Sequence, residues 1–127
     1  MAASRRTPAP NVFDPECPTR RALNLIADKW STLIITLLAA EPLRFGELRR
    51  AIGGISAKVL AERLRDLERN GIVSRAVHPT APPMVEYAVT ALGETLIEPV
   101  DAIAHWAEAH IREIDAAISR YERGIAS

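Results

Sequence analysis

One amphipathic segment, GISAKVLAERLRDLERNGIVSR at residues 54 to 75, constrains the fold of this chain more than any other. Three leucines recur at helical spacing on one of its faces: Leu60, Leu64 and Leu67. At about 100° per residue, the opposite face carries a different and mostly basic set: Lys58, Ala61, Glu62, Arg65 and Arg69. Gly71 ends the pattern before a β-branched pair. The segment therefore predicts a helix with one buried seam and one mostly basic face, followed by a strand.

A shorter helix is predicted immediately before this segment, over residues 45 to 52, with its apolar residues on one face. Gly53 and Gly54 predict a sharp turn, and Ser56 is placed to cap the longer helix by accepting a bond from an early backbone N–H. Two helices joined in this way have the spacing of a helix-turn-helix, although many helical bundles contain such a corner.

Two strands are predicted after the long helix, over residues 73 to 77 and 85 to 89. The loop between them, HPTAPPM, is rich in proline and restricts the chain without strand pairing. A hairpin in this position is typical of the wing of a winged helix-turn-helix. We therefore expect a mainly α fold with a small β-hairpin (α+β), with its winged helix-turn-helix core over residues 17 to 90.

Residues 1 to 16 hold three of the nine prolines and predict an irregular arm. Pro18 then suits the first turn of a helix whose inward residues are Ala22, Leu25 and Ile26. Asp28 is a candidate N-cap for a second helix, which ends before Pro42. The predicted buried stripe of that second helix comprises Trp30, Leu33, Ile34, Leu37 and Leu38.

Residues 91 to 127 predict further helices that carry an apolar seam, with Thr90 as their cap and Pro99 as a break or kink. The seam comprises Leu96, Val100, Ile103, Ala107, Ile111, Ile114 and Ile118, with Trp106 beside it. It extends beyond what a compact winged helix needs. We expect these residues to form a homodimer interface, with packing on the same chain as the alternative.

The net charge is zero, but its distribution is uneven. Residues 44 to 75 hold eight basic and four acidic groups, whereas residues 76 to 127 hold three and eight. An anionic partner would be drawn to the first segment and repelled by the second. Charge that merely solvates exposed faces is the alternative interpretation.

A chain of 127 residues suits one domain. It lacks both an apolar run of roughly 18 residues and a signal-like N-terminus, so we expect a cytoplasmic protein without membrane contact. One cysteine excludes a disulfide framework and a thiolate-rich metal site. The three histidines are scattered and no phosphate-binding loop or nucleophile motif occurs, so we expect no enzyme activity, no metal and no cofactor.

Three motifs in order, CPTRRALNLIADKW, LRFGELRRAIGGISAKVLAERLRDLERNGIVSR and PPMVEYAVTALGETL, resemble the HxlR-type transcriptional regulators of bacteria, over residues 17 to about 106. The resemblance implies a winged helix-turn-helix dimer that binds operator DNA and regulates transcription. Met84 stands where the family often carries a basic residue directly before VEY, so the wing tip offers only His78 and backbone to the minor groove.

In such a dimer, two copies of the long helix would enter successive major grooves about 34 Å apart on a pseudo-palindromic operator. The residues best placed toward bases or backbone are Ser56, Ala57, Lys58, Ala61, Glu62 and Arg65. Glu62 could accept from a cytosine amine, but we favour its bridging to Lys58 or Arg65. The candidate backbone contacts are Arg44, Arg49, Arg50, Arg75 and His78. For Arg63, which flanks the leucine seam, a solvated charge is the favoured interpretation.

Cys17 precedes the first predicted helix, where the helix N-terminus and nearby cations favour a thiolate. The family resemblance implies a sensor for a small oxidant or electrophile at this position. A small, buried, apolar side chain is the alternative. For the whole protein, we expect a DNA-binding regulator, acting as a homodimeric repressor. The competing hypothesis is a winged-helix module that binds protein without binding DNA.

Overall fold

A computed structural model describes residues 13 to 126 of the chain. Its elements, in chain order, are α1 (Pro18–Ala27), α2 (Lys29–Ala40), β1 (Leu43–Arg44), α3 (Phe45–Ala51), α4 (Ala57–Arg69), β2 (Val73–His78), β3 (Met84–Val89), α5 (Ala91–Glu94) and α6 (Ile97–Ala126). Of the predicted N-terminal arm, residues 1 to 12 lie outside the described residues. The remainder forms a turn that leads into α1, in which the Cys17 N–H donates to the carbonyl oxygen of Asp14 at 3.0 Å.

The three predicted helix caps are confirmed. Asp28 accepts from the Ser31 N–H at 2.9 Å at the start of α2, and Ser56 accepts from the Val59 N–H at 3.1 Å at the start of α4. The Thr90 hydroxyl accepts from the Gly93 N–H at 3.0 Å. Each cap satisfies a backbone donor that the helix itself leaves unpaired, which fixes where the helix begins.

The core lies between α2, α3, α4 and the sheet. Its buried members are Ile34, Ile35, Leu38, Leu48, Ile52, Ile55, Leu60, Leu64, Leu67, Ile72 and Val73. The three leucines of α4 are at most 2% exposed, which confirms the predicted seam. Their burial fixes the rotation of α4 about its own axis, because turning the helix would bring the seam into water.

The buried face of α2 differs from the predicted stripe. Ser31 and Ile35 are buried with Ile34 and Leu38, whereas Leu33 is 45% exposed. This helix is apolar on most of its circumference, so periodicity could not select the side on which α4, α6 and β3 pack. The helix α1 is also less covered than expected, since Leu25 and Ile26 are half-buried and Ala22 is exposed.

The hairpin of β2 and β3 pairs antiparallel, from Val73 opposite Val89 to His78 opposite Met84. A third strand, β1, extends the sheet in the order β1–β3–β2, with Leu43 opposite Tyr87. The strand β1 was not predicted, because two residues are too few to show a strand period. Through β1, the wing is therefore paired with the segment that immediately precedes α3.

The C-terminal region consists of one short and one long helix. The helical run is interrupted at residues 95 and 96, and Pro99 lies within the first turn of the 30-residue α6. The predicted break at Pro99 is therefore wrong by several residues. Proline is tolerated in a first turn because its missing N–H would have no helical partner there.

No single described helix is long and apolar enough to cross a membrane, and α1 with α2 meets that length and composition only as a pair bent by 73°.

Candidate nucleic-acid interface

The exposed face of α4 is the centre of the candidate interface. Because the leucine seam faces the core, Lys58 and Arg65 project on the opposite side, where both are exposed. Neither forms an ion pair with any described residue. The two cations lie seven positions apart, which is about two helical turns or roughly 10 Å along the axis. They therefore present two free positive charges along one line.

The first turn of α4 carries small side chains and is capped by Ser56. Ser56 is exposed, and its oxygen accepts the capping bond from Val59, which leaves its own hydroxyl hydrogen to donate elsewhere. Ala57 and Ala61 are half-buried, so they offer methyl groups and no charge. A surface of this kind permits close approach of another molecule.

Glu62 differs from the sequence-based interpretation. It is half-buried and forms no ion pair with Lys58 or Arg65 within the described part of the chain. The predicted bridge is therefore not formed. This leaves a carboxylate in the middle of the basic face of α4, where it lowers the local positive charge.

Three arginines flank this face around α3. Arg44 Nε lies 3.3 Å from Glu47 Oε1, and the same oxygen accepts from the Arg44 backbone N–H at 2.8 Å. These bonds from Arg44 lower the pKa of Glu47 below its usual value, aided by the charge of Arg50. Arg49 and Arg50 are exposed in the last turn of α3.

A groove of about 590 Å³ runs between α3 and the wing loop. Arg44 and Arg50 line it on one side, and the loop residues Pro82 and Pro83 line it on the other. At the tip, the Thr80 hydroxyl donates to the Pro82 carbonyl oxygen at 2.6 Å, which holds the loop in a tight turn. This groove was not predicted, because it depends on β1, which pairs with β3 and so brings α3 beside the wing.

The two side chains of β2 that were predicted to contact the DNA backbone already have carboxylate neighbours in the chain. Arg75 Nε lies 3.7 Å from Glu68 Oε2 in the last full turn of α4, and His78 Nε2 lies 3.4 Å from Glu86 Oε1 across the hairpin. Arg75 is therefore held at the end of α4 farthest from Ser56. A phosphate bound there would compete with Glu68.

Arg63 has a partner that the sequence analysis missed. Its Nε lies 3.0 Å from Asp28 Oδ2, and both side chains are less than one third exposed. The favoured interpretation of Arg63 as a solvated charge is therefore wrong. The pairing joins residues 35 positions apart, which no local pattern reveals.

The apolar seam of α6 divides into two parts. Val100 is 2% exposed and Leu96 packs partly against the core, so the start of the seam contacts its own chain. Beyond this point the apolar side chains are exposed: Ile103, Trp106, Ile111, Ile114, Ile118, Tyr121 and Ile125. The last two extend the seam past the predicted residues. Their spacing could have identified them, because Tyr121 lies three residues after Ile118 and Ile125 lies four residues after Tyr121. The Trp106 ring stacks on His110 at a centroid distance of 4.7 Å.

Cys17 is 6% exposed and occupies the N-cap position of α1. Its placement at the helix start agrees with the sequence, and its burial agrees with the apolar alternative.

Among residues 13 to 126, no group of three or more His, Cys, Asp or Glu side chains is arranged to hold a metal ion.

Comparisons with known proteins extend these observations. A family model described as HxlR-like helix-turn-helix matches residues 25 to 115. The chain is 40% identical over 114 residues to YtfH of Escherichia coli (strain K12), described as an uncharacterized HTH-type transcriptional regulator, with 90% of each chain covered. The solved structure of the transcriptional regulator ytfH from Salmonella typhimurium matches with a TM-score of 0.80 at 38% identity, covering 87% of this chain and 99% of that one. The redox regulator HypR in its reduced form matches with a TM-score of 0.73 at 33% identity, covering 78% of this chain and 98% of that one.

Proposed function

The chain belongs to the HxlR-like helix-turn-helix family of transcriptional regulators, and from this membership we propose that it binds operator DNA as a homodimer, with α4 as the reading helix. It is a regulator and not an enzyme. The single observation that carries the proposal is the exposed, unpaired Lys58 and Arg65 on the face of α4 opposite its buried seam. We call this surface, with Ser56, Ala57, Ala61 and Glu62, the reading face.

The reading face has few side chains that can contact DNA directly, so its sequence preference would depend on the position of each of them. Lys58 and Arg65 can donate to guanine O6 and N7 or to phosphate oxygens, and the methyl groups of Ala57 and Ala61 suit the thymine methyl. Glu62 has no cationic partner among the described residues, which favours its accepting from a cytosine amine. Where no cytosine amine is in reach, DNA phosphates repel the Glu62 carboxylate. Glu62 would therefore weaken binding at sequences that do not match the operator.

The backbone contacts fall around the groove between α3 and the wing. Arg49 and Arg50 are exposed, and Arg44 is held toward the groove by Glu47. Contacts of this kind fix the position of the protein on the duplex without reading its sequence. His78 and Arg75 contribute less, because each has a carboxylate partner within the chain and, unlike the paired Arg44, neither lines this groove. The wing, with Met84 at the start of its second strand, adds mainly apolar contact.

The dimer is supported by the bare seam of α6. Seven large apolar side chains lie exposed along this helix from Ile103 to Ile125. Exposed apolar surface of this length along one helix favours burial against another copy of the chain, because the same apolar face of a second copy can cover it. A two-fold dimer would present two reading helices to a pseudo-palindromic site, and its occupation of a promoter would repress transcription.

We further propose that an oxidant or electrophile acts at Cys17 and changes operator affinity. HypR, a redox regulator, is a structural relative, and Cys17 lies at the N-cap position of α1. Since Cys17 is buried and is the only cysteine, its reaction requires the start of α1 to open and yields an adduct or an intermolecular disulfide. Diamide treatment of the wild type and of Cys17→Ser, followed by operator binding, tests this part. An identical response of the two proteins would remove it.

The operator itself is found by footprinting the DNA upstream of the gene for this protein, with and without oxidant. Protection of two half-sites one helical turn apart is the expected result. The alternative function, a winged-helix module for protein partners, is favoured by Glu62 and by the wing tip without a free cation. It predicts no protection of any duplex and no shift in a gel.

A further inference from the structure

The ion pair between Asp28 and Arg63 connects the start of α2 to the middle of α4. Arg63 Nε lies 3.0 Å from Asp28 Oδ2, and the two side chains are 30% and 27% exposed. Arg63 projects beside the leucine seam and not from the reading face. Its charge therefore serves a contact inside the domain.

Asp28 is itself held rigidly. The same oxygen, Oδ2, accepts the capping hydrogen bond from the Ser31 N–H at 2.9 Å. Burial raises the pKa of Asp28, but the hydrogen bonds from Ser31 and Arg63 and the charge of Arg63 outweigh it and lower the pKa below its usual value. Arg63 thus binds to a carboxylate whose position is set by the backbone of α2.

Apolar packing alone would leave the orientation of α4 less defined. The burial of Leu60 and Leu64 fixes the rotation of α4 about its own axis, but it carries little preference for the angle at which the helix crosses the core. A charge-assisted hydrogen bond does have a preferred direction. One such bond holds α4, because Arg63 donates to Asp28 and so fixes the middle of the helix to α2. The ion pair of Glu68 with Arg75 at the end of α4 is longer than a hydrogen bond, at 3.7 Å, and has no comparable direction.

We propose that the Asp28–Arg63 ion pair sets the angle at which the reading face meets the operator, so that both are positioning residues for DNA recognition although neither lies on that face. This inference rests on the proposed function. A reading helix released from α2 would keep its cations and still attract phosphates, but it would no longer align them with the bases. Loss of the pair would therefore lower sequence preference more than general affinity for DNA.

The test uses five variants of the full chain, three of which remove the ion pair: Asp28→Asn, Arg63→Gln and the double variant. Asn is a good helix cap, so Asp28→Asn removes the charge and keeps the capping acceptor. Arg63→Lys retains the positive charge as the conservative variant. Asp66→Asn is the matched control, because Asp66 lines one cleft together with Asp28 and Arg63 but forms no ion pair among the described residues.

Two dissociation constants are measured for each protein by fluorescence anisotropy: one for the footprinted operator and one for a scrambled duplex of equal length. We expect each single variant to lose about tenfold in operator affinity. The double variant is expected to lose no more than the single variant with the larger loss. Affinity for the scrambled duplex stays nearly constant, Arg63→Lys recovers part of the loss, and Asp66→Asn matches the wild type. Circular dichroism at the assay temperature identifies any variant that unfolds, in which case Asp28→Asn and Arg63→Lys decide the question.

Unchanged operator affinity, strictly additive single effects or an equal loss on both duplexes would overturn the positioning role. A wild-type protein that binds the two duplexes equally would instead contradict the proposed function, and this inference with it.

Discussion

Glu68 and Arg75 form an ion pair between the last full turn of the reading helix and the first wing strand, with 3.7 Å between Oε2 and Nε. Arg75, which was predicted to contact the DNA backbone, is therefore already paired within the chain. It lies at the opposite end of α4 from Ser56, which caps the end that would enter the groove.

This arrangement predicts that Arg75 contributes little to operator binding. Arg75→Ala is expected to change the dissociation constant by less than about fivefold, because a partly exposed ion pair is worth only about 1 kcal/mol at most. Anisotropy titrations at constant salt measure it, with Arg50→Ala as the comparison on the open groove. A loss from Arg75→Ala as large as that from Arg50→Ala would place a phosphate at Arg75.

The exposed seam of α6 predicts that one charge on it dissociates the dimer. Ile111 is 49% exposed in the single chain, and Ile111→Glu would bury a carboxylate in the proposed interface at a cost of several kcal/mol. Ala116→Glu is the matched control, because it places the same charge on the opposite side of α6. Light scattering after gel filtration is expected to report a monomer for the first variant only. A dimer in both cases would assign the interface to another surface.

Gly93 predicts a reversal of the usual effect of alanine in a helix. A Cβ atom at Gly93 would overlap the carbonyl oxygen of Ile72, whereas a Cβ at Gly53 would meet no atom within 4 Å. We expect Gly93→Ala to lower the free energy of unfolding by about 1–3 kcal/mol, although alanine normally favours helices. Gly53→Ala is expected to be close to neutral. Urea denaturation measures both, and a stabilised Gly93→Ala protein would contradict the packing of α5 on Ile72.

Asp28 predicts a loss of stability in acid. Its pKa in the folded protein lies below the ordinary value of 3.8, so its stabilising contribution is complete above that value and disappears as the pH falls through the folded-state pKa. The difference in unfolding free energy between the wild type and Asp28→Asn is therefore expected to be constant near neutral pH and to shrink below about pH 4. Denaturant titrations across this range measure it, and a pH-independent difference would show that Asp28 is not charged in the fold.

Much of the domain is predictable because its signals are local. The leucine period of α4, the caps at Asp28, Ser56 and Thr90 and the two strands of the wing each depend on a few neighbouring residues. The face of α2 was not predictable in the same way. Its sequence is apolar on most sides, so the choice between Leu33 and Ile35 depends on elements that pack from elsewhere in the chain.

The polar contacts of the candidate site were the least predictable. Spacing of three or four residues suggested that Glu62 pairs with Lys58 or Arg65, yet no such pair forms among the described residues. Arg63 instead pairs across 35 positions with Asp28. Side-chain pairing depends on rotamers and on distant partners, and exposed pairs contribute too little energy for helical spacing alone to determine them.

The most direct test of whether Lys58 and Arg65 bind the operator from the reading face is the salt dependence of operator binding for the wild type, Lys58→Ala and Arg65→Ala. We expect each variant to bind at least about tenfold more weakly, because a bidentate base contact or a phosphate contact is lost. Where the lost contact is to phosphate, the slope of log K against log salt falls by about 0.9. Operator affinity and slope that equal those of the wild type in both variants would show that this face of α4 does not meet DNA.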